Sequence, residues 1–525
     1  MKIGIFLGYG PQVKLGKEGL GRYIGGLIKG FQEENHNITI ACPFWLLSTL
    51  NELLDTFSAN KNNITIITTK DNPPLWKLYS FFKVRRKTSG LKHIVLSHII
   101  LLIKRLLVKV SDAKSTFSFA IWSILALLAS IIFLLPSFLI ISVYALIILI
   151  KLAKSKKIPF NIKINKILEY IRYKYNFFYR MDVPLYLFSN MVDEVLKNLV
   201  GIINKLEKQD VWFVPAIFWP QINNIHGTVV INAPDLVTQE FPYEFSNVYN
   251  AENSTDKCRK TILEGKFFIT YCEYLRKVLL VDQYSKDDKN TVAINHANND
   301  MLTYIKVDDT LANRVASDND WTDIFARDLL QSCGSRNVKY IFYASQVRPN
   351  KNMLNLIKAY EYLVRRKFCT YKLYITADLQ KKTEIGSYIK EHRLENDIIS
   401  LYNVPAQTLA ALYHCADLVV NPTLYEGGFP FTFGEGMSVG TPSIMSDIPQ
   451  VREVLEPAGL EEIMFDPYDW RAIADKIEWA LADIDGLYRK ELPLYEEMAK
   501  RTYSVVAADY VKAFETFIEK DKRNE

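Results

Sequence analysis

The segment from Asn421 to Asp447 constrains the fold of this chain more than any other. An apolar run, Ala416 to Val420, precedes it and is typical of a buried β-strand. The residues FGEGMSVG after Thr432 predict a short helix, which Gly440 would end. A strand, a glycine-rich turn and a helix start bring backbone N–H groups to one point, where they suit phosphate or sugar oxygens. We therefore expect an α/β fold with its strongest candidate ligand site at this turn.

Two glutamates lie in this segment. Glu426 falls on the predicted loop, directly before Gly427 and Gly428, and Glu435 falls in the first turn of the predicted helix. Glycine-rich turns are common in α/β proteins, and a first-turn glutamate often interacts only with the helix dipole. On the glycines alone, a structural role and a ligand-binding role explain the pattern about equally well.

The whole string is more specific, because it resembles the donor-sugar motif of family 4 retaining glycosyltransferases, E-G-F-x-x-P-x-x-E-A-M-A-x-G-x-P. Glu435, Met437, Gly440 and Pro442 keep the family order. Eight residues instead of seven separate the two glutamates, and the extra residue lies within 427–431. The resemblance implies the GT-B fold, in which two Rossmann-like α/β domains face one cleft.

The same resemblance assigns roles to the residues of the motif. The second glutamate, Glu435, would bind the ribose hydroxyls of a nucleotide-sugar donor. Glu426 would act at the transferred sugar, assisted by the backbone amides of Gly427 and Gly428. Phe429 completes the predicted donor-binding residues of this loop.

A second stretch carries two cations at a predicted strand-to-helix turn. The strand Val338 to Tyr343 is followed by Arg348 and Lys351 and then by a predicted helix over 353–366. The stretch resembles the family segment Y-V-G-R-x-x-P-x-K-G; Lys351 matches the family lysine, whereas Gln346 occupies the arginine position. The resemblance implies that Lys351 and Arg348 hold the donor diphosphate, whose charge grows as it leaves. Without this resemblance, a solvated loop with two basic residues would be the simpler interpretation.

The N-terminus predicts a β-α-β unit that opens a first Rossmann-like domain. Gly19 and Gly21 precede its helix and resemble the acceptor-side loop of family 4 enzymes. Their spacing does not fit G-x-G-x-x-G, which argues against a nicotinamide or flavin cofactor. Further along, residues 227–236 resemble the family strand that ends in H-D-L, with Pro234 in the histidine position and Asp235 retained. Asp235 would either serve an acceptor hydroxyl or cap the next helix.

Residues Ser115 to Ile150 form a run of 36 residues without a charge, divided by Pro136. As one helix the run would be about 54 Å long, well beyond a hydrocarbon core of about 30 Å. Lys and Arg flank both ends, which places both ends on the cytoplasmic side. We therefore expect a membrane-inserted hairpin; a buried helix pair and a single kinked span are the alternatives.

Charge is distributed unevenly along the chain. Between Lys83 and Arg180 there are eighteen Lys and Arg and two acids, a net charge of +16, so the rest carries −10 of the total of +6. A basic block without a nucleic-acid motif indicates an anionic membrane surface as partner, not nucleic acid. No metal-ligand cluster is apparent in the sequence, and the family resemblance implies a UDP- or GDP-linked sugar as substrate without metal or cofactor.

These features predict the domain organisation and the function. We expect an N-terminal acceptor domain whose first part spans 1–90 and whose second part, with the linker, spans 181–335. An insertion over 91–180 separates the two parts. A nucleotide-sugar-binding domain follows over 336–490, and helices over 491–525 pack back on the N-terminal domain. The expected function is transfer of a sugar to a lipid-linked or glycan acceptor for cell-surface polysaccharide or lipopolysaccharide synthesis, at the cytoplasmic side of the inner membrane. A catalytically inactive nucleotide-sugar-binding or scaffold protein, and a transferase acting directly on a membrane lipid, are the alternatives.

Overall fold

The computed structural model contains two parallel β-sheets, each covered by helices. It describes residues 1–69 (without 12 and 18), 76, 106, 108–128 (without 114), 183–242 (without 207), 251–305, 338–379 and 383–524. All strand pairs within these residues are parallel. Two α/β domains of Rossmann type were expected, and this part of the prediction is confirmed.

The N-terminal sheet has seven strands in the order β3-β2-β1-β4-β5-β6-β7. Its strands are apolar and mostly buried on both faces, as parallel sheets covered by helices require. They are β1 (Lys2–Phe6), β2 (Asn37–Cys42), β3 (Ile64–Thr68), β4 (Val211–Val214), β5 (Val229–Ala233), β6 (Phe267–Thr270) and β7 (Thr291–Ala293).

The C-terminal sheet has six strands in the order β10-β9-β8-β11-β12-β13, the order of a Rossmann fold. The chain reverses its direction of winding between β8 and β11. Ligands of open α/β sheets bind at the carboxyl ends of the strands at such a reversal. The strands are β8 (Tyr340–Tyr343), β9 (Lys372–Ile375), β10 (Ile398–Ser400), β11 (Leu418–Asn421), β12 (Ser443–Ser446) and β13 (Met464–Phe465).

Helices connect these strands and cover both sheets. In the N-terminal part they are α1 (Gly19–Glu33), α2 (Leu47–Thr56), α3 (Val183–Ile203), α4 (Val237–Glu240) and α5 (Ala251–Glu264), with a π-helix over Leu275–Gln283. In the C-terminal part they are α6 (Met353–Arg366), α7 (Glu384–Glu391), α8 (Ala406–His414), α9 (Phe431–Ser438), α10 (Pro449–Leu455), α11 (Trp470–Ala482), α12 (Ile484–Ala499) and α13 (Tyr503–Asn524). The sequence predicted α6 with the bounds that the structure gives it.

The chain ends in two helices where the sequence predicted one over 492–520. The helix α12 ends at Ala499, and α13 begins at Tyr503 after a short break. The break lets α13 cross to the N-terminal domain, where Tyr510, Phe514 and Phe517 join its core. Hydrophobic periodicity continues across the break, which is why the sequence did not reveal it.

Helices α1 and α13 approach closely because α1 carries glycines on the contact face. A Cβ on Gly30 would lie 2.5 Å from the carbonyl oxygen of Tyr503, and one on Gly26 would overlap the Tyr503 ring. The sheet side of α1 is apolar and buried. The glycines thus set how closely the C-terminal helix covers the N-terminal domain.

The two domains also meet through side chains that cross the cleft. Tyr425, which follows β11, is 2% exposed and packs within the N-terminal core, where its hydroxyl accepts a hydrogen bond from the N–H of Leu236 at 3.1 Å. The carboxylate of Glu453 on α10 accepts hydrogen bonds from the N–H groups of Glu273 (2.9 Å) and Tyr274 (2.5 Å). It thereby caps the start of the π-helix, where a negative charge is favoured.

The predicted membrane hairpin over 115–150 lies largely outside the described residues. Its first part, residues 116–128, is helical, and large apolar side chains there are exposed, among them Phe117 at 77% and Leu127 at 60%. No helix among the described residues is long and apolar enough to cross a bilayer. Residues 129–180 of the predicted insertion 91–180 lie outside the described residues as well.

We expect two glycine-to-alanine changes in helices to have opposite effects on stability. Gly30→Ala should lower the free energy of unfolding by about 1–3 kcal/mol, because the new methyl group overlaps the backbone at Tyr503. Gly201→Ala in α3 should raise it by up to about 1 kcal/mol, because a Cβ there meets nothing within 4 Å and alanine favours helix. Urea unfolding followed by circular dichroism measures both, and a gain of stability in Gly30→Ala would contradict the packing described.

Candidate active site

The loops after β8 and β11 meet at the carboxyl edge of the C-terminal sheet, where the strand order reverses. Lys351 ends the first loop, and Glu426 lies on the second. Their Nζ and Oε1 atoms form an ion pair, and the two side chains are 21% and 18% exposed. The family resemblance implied separate roles for these residues, at the diphosphate and at the sugar; the structure places them in contact.

Asn350 joins the two loops and was not singled out from the sequence. Its side-chain amide donates to the backbone carbonyl oxygen of Tyr425 at 3.0 Å, and its backbone carbonyl oxygen accepts from the N–H of Leu424 at 2.8 Å. The hydroxyl of Thr423 donates to the same carbonyl at 3.0 Å. Asn350 is 5% exposed, so these bonds fix the loop that carries Glu426 against the loop that carries Lys351.

Glu435 lies on α9, which starts at Phe431 and not after Thr432, so the residue falls in the second turn and not in the first. Its carboxylate is 6% exposed and accepts two hydrogen bonds, from the amide of Asn299 at 2.5 Å and from the hydroxyl of Tyr413 at 2.6 Å. These donors offset the cost of burying a carboxylate.

Neither partner of Glu435 was predicted. Burial, the Glu435 charge and the hydrogen bond to Glu435 raise the pKa of Tyr413 well above its usual value, and the charge of Arg22 on α1 acts in the opposite direction. Tyr413 belongs to an apolar helix face in the sequence, which is typical of a core residue. Asn299 lies in a polar stretch without a motif. The sequence held no signal that would pair either residue with Glu435.

The glycines of the predicted donor loop lie against the N-terminal domain. A Cβ on Gly427 would overlap the carbonyl oxygen of Pro234, and one on Gly428 would come within 2.8 Å of the Tyr271 side chain. Only glycine therefore fits at this approach of the two domains. The side chain of Phe429 is buried in the C-terminal core, so only its backbone is available at the cleft.

His296 holds this loop from the N-terminal side. Its Nε2 lies 2.7 Å from the carbonyl oxygen of Phe429, and its ring stacks on Phe431 with 3.9 Å between the centroids. Burial lowers the pKa of His296, and the two carbonyl groups at its ring nitrogens oppose this effect. These contacts hold the segment that follows β7, which leads to the C-terminal domain, against the start of α9.

Asp235 lies across the cleft from the ion pair. Its carboxylate accepts a hydrogen bond at 2.7 Å from the N–H of Val237, the first residue of α4, so the predicted capping contact is present. Burial, above all, raises the pKa of Asp235 to about 6; the charge of Glu426 adds to this, and Lys351 and Arg348 oppose it. The capped carboxyl group thus also titrates near neutral pH.

The remaining predicted residues lie around this cleft. Arg348 is exposed, and its guanidinium donates to the side chain of Gln346 at 3.1 Å, the residue at the family arginine position. Gly19 and Gly21 open α1, and a Cβ on Gly21 would overlap the Leu15 backbone. The structure therefore brings Lys351, Glu426 and Asp235 together, with Arg348 and the start of α1 at the periphery.

Comparison with known proteins agrees with this geometry. Residues 332–504 match the protein family described as Glycosyl transferases group 1. The O-antigen chain mannosyltransferase B of Escherichia coli is 32% identical over 146 residues, which are 27% of this chain and 37% of that protein. The chain thus spans little more than a third of the length of this relative.

Solved structures share the whole architecture. The sucrose-phosphate synthase of Thermosynechococcus elongatus superposes with a TM-score of 0.53 over 99% of both chains at 10% identity. Anabaena HepE, solved in complex with UDP and glucose, gives a TM-score of 0.52 at 12% identity, over 98% of this chain and 100% of its own. At these identities the likeness shows the fold, which is that of GT-B glycosyltransferases.

The raised pKa of Asp235 predicts a pH-dependent stability. Because the folded-state pKa of about 6 lies above the ordinary 3.8, the folded protein binds this proton more tightly, and the stabilisation present at low pH is lost as pH rises through 6. The free energy of unfolding of the wild type should therefore fall on going from pH 4 to pH 7.5. In Asp235→Asn, which has no such carboxyl group, the fall should be smaller by about 1–3 kcal/mol. Urea midpoints at both pH values test this, and identical pH profiles would contradict it.

Proposed function

We propose that the chain transfers a sugar from a nucleotide-sugar donor to a lipid-linked or glycan acceptor. The observation that carries the proposal is the pairing of Lys351 with Glu426 at the reversal of strand order, with the buried Glu435 in the second turn of the helix that follows. A cation for a diphosphate and carboxylates for hydroxyl groups then lie at the edge of the sheet where such folds bind ligands. These residues fall inside the segment that matches the glycosyl transferase family.

The donor would engage the site in two places. Each oxygen of Glu435 accepts one hydrogen bond from the protein, which leaves a second lone pair for a ribose hydroxyl. The diphosphate would draw Lys351 away from Glu426, since a dianionic group competes strongly for the ammonium. Glu426 would then be free to accept hydrogen bonds from the sugar. Phosphate binding would in this way prepare the sugar site.

Transfer would proceed with retention of configuration at the sugar. The bond from the anomeric carbon to the diphosphate breaks, and the acceptor oxygen forms its bond on the same face. A phosphate oxygen of the leaving diphosphate takes the acceptor proton, and Lys351 and Arg348 stabilise the charge that develops. Asp235, whose pKa is about 6, would orient the acceptor hydroxyl from the opposite wall of the cleft.

The proposed location is the cytoplasmic side of the inner membrane. The exposed apolar side chains of 116–128 and the basic surroundings of this segment suit insertion into an anionic bilayer. Anchoring there would bring the cleft to a lipid-linked glycan. The relative named above is an O-antigen chain mannosyltransferase, and mannose is therefore the first sugar to test.

The first test is nucleotide release. Membranes containing the protein would receive UDP- and GDP-sugars with a lipid extract as acceptor, beside Lys351→Ala and Glu435→Ala. We expect lipid-dependent release from one donor and at least a tenfold loss in both variants, because each removes a hydrogen bond to a charged group. Lys367→Ala, which breaks only the surface pair with Glu478, is the matched control. Donor binding without release would favour an inactive binding protein, and transfer to a plain membrane lipid would favour the glycolipid-forming alternative.

A second test addresses the support of Glu435. Tyr413→Phe keeps the buried ring but removes the hydroxyl that holds the carboxylate, so we expect nucleotide affinity to fall about tenfold. Tyr340→Phe removes a buried hydroxyl of the same core cluster, one that donates to the carbonyl of Leu412 at 2.7 Å and does not reach Glu435. Isothermal titration with UDP and GDP measures both variants. Equal affinities would show that Tyr413 does not position Glu435.

A further inference from the structure

A cavity of about 100 Å³ lies between the domains, behind the loop that carries Glu426. The chain passes between the domains after β7 and again between α12 and α13. Both connecting segments form part of the cavity wall, through Asn298 in the first and Arg501 in the second. Helix α10 contributes Gln450 and Glu453, and the N-terminal domain contributes Tyr271. Phe429 of the donor loop borders the cavity, whereas Lys351, Glu426, Glu435 and Asp235 do not line it, so the cavity adjoins the proposed donor site without including its charged residues.

Gln450 is a buried side chain of this wall whose polar atoms are both unpaired. It is 1% exposed, and among the residues that the structure describes neither its amide nitrogen nor its amide oxygen has a hydrogen-bond partner. Burying an unpaired amide is unfavourable, and in native proteins such groups are usually satisfied by something that occupies the adjacent space. A leucine would fill the same volume without this penalty. A glutamine that lines a cavity with both polar atoms unpaired is therefore suited to a ligand.

The charges around the cavity are already compensated. Glu453 accepts two backbone hydrogen bonds from the start of the π-helix. The guanidinium of Arg501 donates to the carbonyl oxygen of Asn295 at 2.9 Å and forms an ion pair with Asp509 at 3.0 Å. A charged ligand would have to displace these partners. The cavity thus favours a neutral occupant.

The free groups of Gln450 define the chemistry of that occupant. A primary carboxamide presents one acceptor and one N–H donor side by side. Two adjacent hydroxyl groups match it, since one hydroxyl donates to the oxygen and the other accepts from the nitrogen. Tyr271 and Val454 add apolar lining that suits the C–H groups of a carbohydrate. The volume is somewhat below the 150 Å³ of an engineered cavity that holds benzene.

From this geometry we propose that the cavity binds a neutral vicinal diol through Gln450, either a free small polyol or the diol edge of a sugar ring. Such a ligand would touch both domains and both of their connections. The inference does not rest on the proposed function, since it uses neither the nucleotide nor the residues placed at the donor site.

Thermal unfolding of the full chain tests the proposal. Wild type and Gln450→Leu would be heated with glycerol, with methyl mannoside and with trimethylamine N-oxide, an osmolyte that has no diol. Excluded osmolytes stabilise folded proteins without occupying a site, and they should act equally on two variants that differ at one buried residue, so only the difference between the variants is informative. We expect a diol to raise the melting temperature of wild type about 2–4 °C more than that of Gln450→Leu, and trimethylamine N-oxide to act equally on both.

The two diols distinguish the sources, because a response to glycerol indicates a free polyol and a response to methyl mannoside alone indicates a sugar. Gln221→Leu is the control, since Gln221 is a buried glutamine with an unpaired amide oxygen that does not line the cavity. It should behave as wild type. Equal diol shifts in wild type and Gln450→Leu would overturn the proposal. So would crystals of the wild type soaked in either diol that show only water at Gln450.

Discussion

The candidate site depends on the hydrogen bonds of one buried asparagine. Asn350 bonds to the second loop through both its side chain and its backbone, and so fixes the loops that follow β8 and β11 in one register. Lys351 is the next residue, and it reaches Glu426 because the loop of Glu426 is held at this distance. The reversal of strand order brings the loops to one edge of the sheet, and Asn350 converts that proximity into a defined geometry.

The same loop also joins the two domains. Tyr425 enters the N-terminal core, Gly427 and Gly428 lie against the N-terminal backbone and Tyr271, and His296 holds the carbonyl of Phe429. A segment that would bind the donor is therefore also the segment on which the domains meet. Gly427 and Gly428 therefore serve the contact between the domains, because a Cβ at either position would meet the N-terminal domain.

Much of the fold could be predicted because its elements carry local signals. Apolar runs predicted strands such as β1, β8 and β11, whereas β3 and β13 were not predicted, and α6 was predicted with its observed bounds. The start of α9 was placed two residues late, because Thr432 resembles a cap whereas Pro430 occupies that position. The helix predicted over 492–520 is divided, since its apolar pattern continues through the break.

The site was predicted less completely, for a physical reason. Glu426, Glu435, Lys351 and Asp235 were found through motifs, but the partners that fix them are distant in sequence. Lys351 and Glu426 are 75 residues apart, and Asn299 lies 136 residues from Glu435. Asn350 and Tyr413 act through tertiary contacts, and Gln450 lines a cavity between segments that are distant in sequence; no local pattern distinguishes the three from ordinary loop or core residues.

The crossing of α13 bears on how the molecule is made. Tyr510, Phe514 and Phe517 complete the hydrophobic core of a domain whose first strand begins at Lys2. A ribosome delivers these residues only after the C-terminal sheet has been synthesised, so of these two domains the one that is synthesised earlier is completed later. Domains generally fold as units and in the order of their synthesis. Until α13 has been synthesised, the N-terminal domain cannot complete its core and the apolar face of α1 stays uncovered. In this state the nascent chain is a natural client for chaperones.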